Sequence, residues 1–317
     1  MKRFIISFSC FVVPIIIIGI MAEFCLRKLP NSYKFKYEWM QEHASDVETL
    51  VFGSSHTYYG FQPKYYEGKA FNLANSAQLI EQDLYLLKYW SDRYSKLKTV
   101  IYPISYFTLF YPDLLSGKAS LIARYYKIYM DCDLYPSFSF YYNFEIAEPR
   151  SAFAKIRRFL QGTSKTDWLC DEYGNEAFNM ISNRDDDWVK SDRQTAQDEY
   201  AETWEHIPQN CCKLEQMIKL CKEREIRLVL ITTPCWHSYY DNLSDNQLNK
   251  MYSIIHELQQ KYDLPYFNYL KDNRFTEEDF FNGSHLSDVG EKKFTIILNK
   301  DIVSLEKGYG EASPICP

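Results

Sequence analysis

Residues 48–57 read Glu-Thr-Leu-Val-Phe-Gly-Ser-Ser-His-Thr, a short apolar run that stops at Gly53. A run of this length, bounded by a glycine, predicts a buried strand. Ligands of open parallel sheets bind beyond the carboxyl ends of the strands, so the turn after this strand belongs to a candidate site. Ser55 on that turn can expose its hydroxyl near the first N–H groups of a helix, which stabilise an oxyanion. Taken alone, this short motif is more typical of a capping turn.

The rest of the chain alternates apolar runs of strand length with segments of helical periodicity. Further strands are predicted at 70–74, 99–102, 227–231 and 264–269, and helices at 78–97, about 214–221, 245–262 and 288–305. This alternation predicts a parallel sheet that is covered by helices on both faces. With right-handed crossovers, we expect a three-layer α/β/α fold around a five-stranded, doubly wound sheet.

The alternation is interrupted between residues 104 and 205, where Tyr-rich stretches and the acidic run 185–187 replace it. We expect a large insertion there, part helical and part loop. The acidic run lacks the ligand spacing of an EF-hand and predicts a solvated turn. The predicted organisation is an anchor at 1–28, a polar connector at 29–46, an α/β/α domain at 47–305 with its insertion at about 104–205, and a C-terminal tail at 306–317.

The N-terminus carries an uncharged run from Phe4 to Ala22. At about 1.5 Å per residue, this run matches the hydrocarbon core of a bilayer. Lys2 and Arg3 precede it and favour a cytoplasmic N-terminus, with the following domain outside the cytoplasmic membrane. No small-x-small cleavage site follows the run, so we expect an uncleaved, single-span anchor. A cleaved signal peptide is the alternative.

Charge and cysteine usage argue against several classes of function. The net charge is -6, and charges of both signs are mixed along the chain. This pattern gives no sign of the basic face that a nucleic-acid partner would require. The nine cysteines have no repeated spacing, so they predict neither a disulfide framework nor a zinc site. We therefore expect no metal and no organic cofactor.

A second polar stretch, residues 280–290, reads Phe-Phe-Asn-Gly-Ser-His-Leu-Ser-Asp-Val-Gly and precedes the last predicted helix. A loop at that position reaches the same carboxyl edge of the sheet as Ser55. His285 can then take the proton of the Ser55 hydroxyl as a general base. A single histidine before a helix is more often structural, but two such segments at opposite ends of an α/β pattern favour a Ser–His pair.

Together the two segments resemble the first and last blocks of the SGNH/GDSL hydrolase superfamily. That family opens with Gly-Asp-Ser after its first strand and closes with Asp-x-x-His before its last helix. This chain is similar at Gly53-Ser54-Ser55 and at Asn282-x-x-His285. It looks closest to the membrane-anchored branch that includes D-alanyl-transfer accessory proteins and polysaccharide O-acetyltransferases.

The resemblance implies that Ser55 is the nucleophile and His285 the base. Asn282 stands where the family has its orienting Asp. Its side-chain oxygen can accept a hydrogen bond from the imidazole but adds no charge. Asp279 or Asp288 is the alternative orienter.

The resemblance also implies where the oxyanion donors lie. Ala74, through its backbone N–H, and Asn75, through its side chain, follow the second strand, where the family places an oxyanion glycine. The family's Gly-x-Asn-Asp block after the third strand is absent, and Ser105 is the only obvious polar substitute there.

Two functions are compatible with these observations. The first is acyl ester hydrolysis or O-acyl transfer, with acetyl as the expected acyl group, on a cell-envelope or exported glycan. The second is a non-catalytic accessory protein that binds a glycan or a membrane acyltransferase. Asn282 and the missing third block favour the second function, whereas the retained Ser55 and His285 favour the first.

Overall fold

The computed structural model describes residues 1–113, 120–135, 138–162, 170–176 and 179–308. Residues 309–317, most of the predicted C-terminal tail, lie outside the described residues.

Five strands form one parallel sheet in the order β2-β1-β3-β4-β5. These strands are β1 (Thr49–Val51), β2 (Ala70–Asn72), β3 (Thr99–Pro103), β4 (Arg227–Thr232) and β5 (Tyr266–Asn268). This order is that of flavodoxin-like doubly wound sheets, in which the strand order reverses beside the first strand. The predicted α/β fold with a five-stranded parallel sheet is confirmed.

Two short strands, β6 (Phe280–Asn282) and β7 (His285–Leu286), form a separate antiparallel pair. The sequence analysis did not predict this pair, because two and three residues are too few to show a strand periodicity. The pair carries His285.

Twelve α-helices occur along the described part of the chain. They are α1 (Lys2–Lys28), α2 (Ser32–His43), α3 (Ser55–Tyr58), α4 (Ile80–Tyr89), α5 (Ser120–Tyr129), α6 (Phe140–Asn143), α7 (Pro149–Leu160), α8 (Asp192–Asp198), α9 (Ile207–Glu223), α10 (His237–Tyr240), α11 (Asp245–Tyr262) and α12 (Asp288–Gly308), counted over the described ranges. The helix predicted at 78–97 is shorter than expected. It ends at Tyr89 and is followed by the 3-10 turn Ser91–Arg93, where Ser91 and Asp92 are weak helix formers and accept hydrogen bonds from Arg224.

The sheet is buried on both faces, which explains the continuous apolar runs of its strands. On one face, Val51 of β1 and neighbouring strand residues pack against Phe294, Leu298 and Ile302 of α12. Helices α4 and α9 pack against each other, and α9 contacts β4. The sheet is thereby held rigidly, and its carboxyl edge can position a site.

The chain divides into two compact units, Met1–Tyr37 with Leu114–Leu169 and Glu38–Asp113 with Cys170–Pro317. The first unit contains α1, whose most apolar window has a mean hydropathy of 2.7. Among the described residues, α1 is the one helix that is long and apolar enough to cross a membrane. The second unit contains the sheet, and the described residues from Cys170 to Gly308 belong to it.

Candidate active site

The turn that carries Ser55 has a conformation that requires glycine at position 53. Gly53 has a φ of +109°, and a Cβ there would lie 2.2 Å from Pro103 Cγ. The Thr57 hydroxyl donates to the Phe52 carbonyl at 2.7 Å and closes the turn. Ser55 then begins α3 directly beyond β1, and its side chain is only partly buried.

His285 lies beside Ser55, although 230 positions separate them in the sequence. Its Nε2 atom is 2.8 Å from Ser55 Oγ. Strand β7 contacts α3, so the β6–β7 pair carries the imidazole to the edge of the sheet where β1 ends. The structure thus brings together the two residues that the sequence analysis singled out.

Asn282 orients the imidazole from its other side. Asn282 Oδ1 lies 2.9 Å from His285 Nδ1 and also accepts the backbone N–H groups of Ser284 at 3.1 Å and His285 at 3.0 Å. Only an oxygen can accept these two backbone donors, so the amide orientation is fixed with Oδ1 toward the ring. Nδ1 must then carry the proton, and Nε2 is left as the acceptor for the Ser55 hydroxyl.

Asp279, the alternative orienter, does not face the imidazole. Its Oδ2 accepts hydrogen bonds from the Thr276 backbone at 2.7 Å and from Lys293 Nζ at 2.6 Å. Asp288, the other alternative, accepts the backbone N–H of Ile181 at 2.7 Å. Each carboxylate is engaged by groups of its own surroundings, so the idea that either one orients His285 is corrected in favour of Asn282.

Burial keeps the imidazole of His285 neutral. It lowers the pKa of His285 from 6.5 to about 4. The ring meets His56 edge-on, with centroids 5.3 Å apart, and Tyr59 similarly at 5.4 Å. Burial, and secondarily the neighbouring His285, lowers the pKa of His56 to about 3. At neutral pH, His285 therefore has a free Nε2 lone pair with which to act as a base.

The predicted oxyanion donors are largely engaged elsewhere. The Ala74 N–H donates to Asn72 Oδ1 at 3.0 Å, which corrects its assignment as a free donor. The Asn75 side-chain nitrogen donates to Gln78 Oε1 at 3.0 Å. The first N–H groups of a helix have no partner within it, so the backbone N–H of Ser55 remains beside the nucleophile.

Four adjacent strands are each followed by a buried polar atom that has no hydrogen-bond partner among the described residues. These atoms are Ser54 Oγ after β1, Asn75 Oδ1 after β2, Ser105 Oγ after β3 and Thr233 Oγ1 after β4. Buried polar groups are nearly always hydrogen-bonded. Four unpartnered atoms along one carboxyl edge therefore mark enclosed polar groups that ordered water would complete.

A buried carboxyl group that the sequence did not reveal supports the nucleophile turn. Asp83 Oδ1 accepts the Gly53 N–H at 3.0 Å and the Gln78 side chain at 2.5 Å. Burial raises the pKa of Asp83 to about 7, while hydrogen bonds from Gln78, Gly53 and Tyr102 oppose the rise. Asp83 of α4 thus places a carboxyl group beneath the turn that carries Ser54 and Ser55.

The segment from Cys170 to Asp198 holds the His285 loop from outside the sheet. Asp192 Oδ1 accepts the Gly283 N–H at 3.0 Å, and its Oδ2 accepts the Ser238 hydroxyl at 2.5 Å. The Asn179 side chain donates to the Leu286 carbonyl at 3.4 Å. The two contacts with the His285 loop join residues 91 and 107 positions apart, and no local pattern in the sequence predicts them.

The arrangement is suited to nucleophilic chemistry. An aligned hydroxyl, a neutral imidazole and a fixed acceptor behind it form the constellation of an activated serine. Within the described ranges, no group of three or more His, Cys, Asp or Glu side chains is placed to hold a metal ion.

Comparison with protein families and curated proteins gives no match: no family model and no curated sequence matches this chain. Several solved structures are similar at low identity. A candidate acylhydrolase of Bacteroides fragilis is 8% identical, with 88% of this chain and 100% of that chain covered and a TM-score of 0.42. A GDSL-like lipase of Bacteroides thetaiotaomicron is 11% identical, with coverages of 87% and 99% and a TM-score of 0.40. A lipase/acylhydrolase of Enterococcus faecalis is 10% identical, with coverages of 82% and 97% and a TM-score of 0.38. Likeness at this level assigns no activity to the chain.

Proposed function

We propose that this protein is a serine-dependent acyl ester hydrolase or O-acyl transferase of the SGNH/GDSL type. The observation that carries the proposal is the pair of contacts made by one imidazole. His285 Nε2 lies 2.8 Å from Ser55 Oγ, and His285 Nδ1 lies 2.9 Å from Asn282 Oδ1. This geometry supports a nucleophile, a base and an orienter in those three positions.

The proposed reaction has two steps. Ser55 Oγ attacks the acyl carbonyl carbon while His285 Nε2 takes the hydroxyl proton, and the backbone N–H of Ser55 donates to the oxyanion. The ester C–O bond then breaks, and His285 returns the proton to the departing alkoxide. In the second step, water or an acceptor hydroxyl attacks the Ser55 ester, again with His285 as the base, and Ser55 recovers its proton.

The proposed setting is the cytoplasmic membrane, with α1 as a single span and the catalytic unit outside. The length and hydropathy of α1 support an anchor. The proposed substrate is an acylated envelope or exported glycan, with acetyl as the acyl group. The Ser55–His285 pair at the carboxyl edge of the sheet supports an acyl ester as the reacting group.

Labelling with a fluorophosphonate tests the proposal directly. This probe reacts only with a serine whose hydroxyl is activated, so the detergent-solubilised full chain should be labelled and the Ser55→Ala variant should not. Ser54→Ala is the matched control, because it removes the neighbouring hydroxyl, which has no bond to His285. Labelling that survives Ser55→Ala, or its absence from the folded wild type, would contradict the proposal.

A second candidate function is a non-catalytic accessory protein that binds a glycan or a membrane acyltransferase. The occupied Ala74 N–H and Asn75 side chain favour it, because each lost oxyanion donor costs about 3 kcal/mol of transition-state stabilisation. Turnover of an aryl acetate separates the two functions. The enzyme predicts a rate that depends on Ser55 and His285, whereas the accessory protein predicts glycan binding that survives Ser55→Ala.

A further inference from the structure

An aromatic patch is exposed in the unit that contains α1. We define the patch by its exposed apolar side chains, which are Phe138, Phe140, Phe144, Phe153, Phe159 and Leu160. It holds six of the twelve large exposed apolar side chains that the described residues show outside α1. Exposed apolar clusters of this kind mark contact with a protein or a membrane.

The segment that carries the patch contacts α1 at a defined position along the uncharged run of that helix. The short 3-10 turn Glu145–Ala147 packs against α1, and Ile146 Cδ1 lies 3.7 Å from the Cβ position of Gly19. Gly19 lies inside the uncharged run and three residues before its end at Ala22. At about 1.5 Å per residue, Ile146 therefore reaches about 5 Å into the apolar part of α1.

Polar contacts fix this turn to the end of the uncharged run. The Glu23 carboxylate accepts the backbone N–H groups of Glu145 at 3.1 Å and Ile146 at 3.0 Å. Arg27 donates to Glu23 at 2.6 Å and to the Asn143 carbonyl at 2.5 Å. The turn Glu145–Ala147, which directly follows Phe144 of the patch, therefore cannot leave the level of Glu23 without breaking partly buried charge-assisted hydrogen bonds.

Helix α7 follows directly and is amphipathic. Its apolar residues include the exposed Phe153, Phe159 and Leu160, and its charged residues, Arg150, Lys155, Arg157 and Arg158, are all basic. Lys155 pairs with Glu145 at 2.8 Å in the interior, whereas Arg150 and Arg157 are exposed. Basic amphipathic helices with Phe and Leu on the other face lie in the membrane interface, with the apolar face about 5–10 Å deep.

We propose that α7 and the aromatic patch form a second membrane contact, seated in the interface of the bilayer that α1 crosses and facing anionic phospholipid. The contact of Ile146 with Gly19 sets the depth of the patch in the bilayer, and the hydrogen bonds of Glu23 hold the neighbouring turn at that depth. The exposed arginines of α7 can pair with lipid phosphates. A lipid surface fits better than a protein groove, because both α7 and the turn Glu145–Ala147 contact the helix α1 itself. The inference rests on α1 as a span and is independent of the esterase activity.

Site-specific photo-crosslinking in membranes tests this inference. p-Benzoylphenylalanine replaces one residue at a time in the full chain, reconstituted in vesicles of phosphatidylethanolamine and phosphatidylglycerol. Phe11, which is 70% exposed within α1, is the positive control for a span. Phe153 and Phe159 report on the patch. Val289, which is 42% exposed in the other unit, is the matched apolar control. Lipid adducts are identified by mass spectrometry.

We expect lipid adducts at Phe11, Phe153 and Phe159 and no lipid adduct at Val289. Adduct yield at Phe153 should fall when phosphatidylglycerol is omitted and when Arg150→Gln and Arg157→Gln are combined. Adducts at Phe11 without adducts at Phe153 and Phe159 would overturn the inference and leave the span intact. In native membranes, crosslinks from Phe153 to a protein in place of lipid would overturn it in favour of a protein partner.

Discussion

The side-chain oxygen of Asn282 lies 2.9 Å from Nδ1 of His285 and is held there by two backbone N–H groups. In a serine protease triad, replacing the orienting Asp by Asn lowers kcat by roughly 10⁴, because the ring adopts the wrong tautomer. Here the backbone donors prevent the amide from presenting its nitrogen. The tautomer is preserved, and only the stabilising negative charge is missing.

Replacing Asn282 by Asp should therefore raise turnover. A charged acceptor strengthens the bond to the imidazolium that forms during the reaction by about 1.4 kcal/mol, or roughly tenfold in kcat. The measurement is the steady-state rate with an aryl acetate at neutral pH. An unchanged or lower kcat in a correctly folded Asn282→Asp variant would show that the charge of the orienter is not limiting.

Replacing Asp279 by Asn should reduce stability but leave the rate nearly unchanged. The Asp279 carboxylate is buried and holds Lys293 and the Thr276 backbone, so its loss should cost about 2 kcal/mol. Denaturant unfolding in detergent measures the loss, and the same aryl acetate assay measures the rate. A large fall in kcat without a fall in stability would restore Asp279 as an orienter of His285.

The rate should have an acidic limb near pH 4. His285 must be unprotonated to act as a base, and burial lowers its pKa to about 4. Activity should therefore be constant from neutral pH to about pH 5 and fall as pH drops through 4. In Asn282→Asp the added negative charge favours the imidazolium, so the limb should move to higher pH. A limb near the ordinary histidine pKa in the wild type would contradict the burial of His285.

Stability should fall in acid because of His56. Its folded-state pKa of about 3 lies below the unfolded value of 6.5, so the unfolded chain binds more protons between these values. The loss of stability begins as pH falls below 6.5 and reaches about 3 kcal/mol at pH 4. Unfolding of His56→Gln, compared with the wild type at pH 7 and pH 4.5, measures it. The variant should show a flatter pH dependence, and equal slopes would contradict the assignment.

Asp192 should act as a positioning residue. It holds the Gly283 N–H and the Ser238 hydroxyl, and neither it nor these partners touches the Ser55 hydroxyl. Asp192→Ala should lower kcat by about 10²-fold through a misplaced His285 loop, with little change in KM. Asp192→Asn keeps an acceptor oxygen and should recover most of the rate. If both variants lose activity only in proportion to unfolding, the role of Asp192 is structural.

The sequence predicted the sheet and the approach of Ser55 to His285 for the same reason. A buried strand before Gly53 and a loop before the last helix must both end at the carboxyl edge of a parallel sheet. The chain direction of the elements beside Ser55 and His285 was therefore sufficient to predict that these two residues meet. The β6–β7 pair, which aims the imidazole, is too short to leave a periodic signal.

The donors and supports of the site were harder to predict. Ala74 was expected to offer its N–H, but the Asn72 side chain turns back to accept it, as Asn often does near turns. Asp83 and Asp192 act on backbone groups of Gly53 and Gly283 across 30 and 91 positions. Side chains that bind distant backbone groups leave no spacing in the sequence, so only the folded chain reveals them.

The contact between Asp192 and the Gly283 N–H also bears on chemical ageing. In an Asn-Gly sequence, the glycine backbone nitrogen can attack the Asn side-chain carbonyl and release ammonia, and hydrolysis of the ring then gives aspartate or isoaspartate. At Asn282 the attacking nitrogen is bound by Asp192, and the carbonyl oxygen is held by the turn. The folded loop should therefore resist deamidation, whereas unfolded or long-stored material should not. A wild-type preparation in which some Asn282 has become aspartate would show part of the higher rate expected for Asn282→Asp. The mass of a peptide that contains residues 280–290 should therefore be measured whenever the wild type and Asn282→Asp are compared.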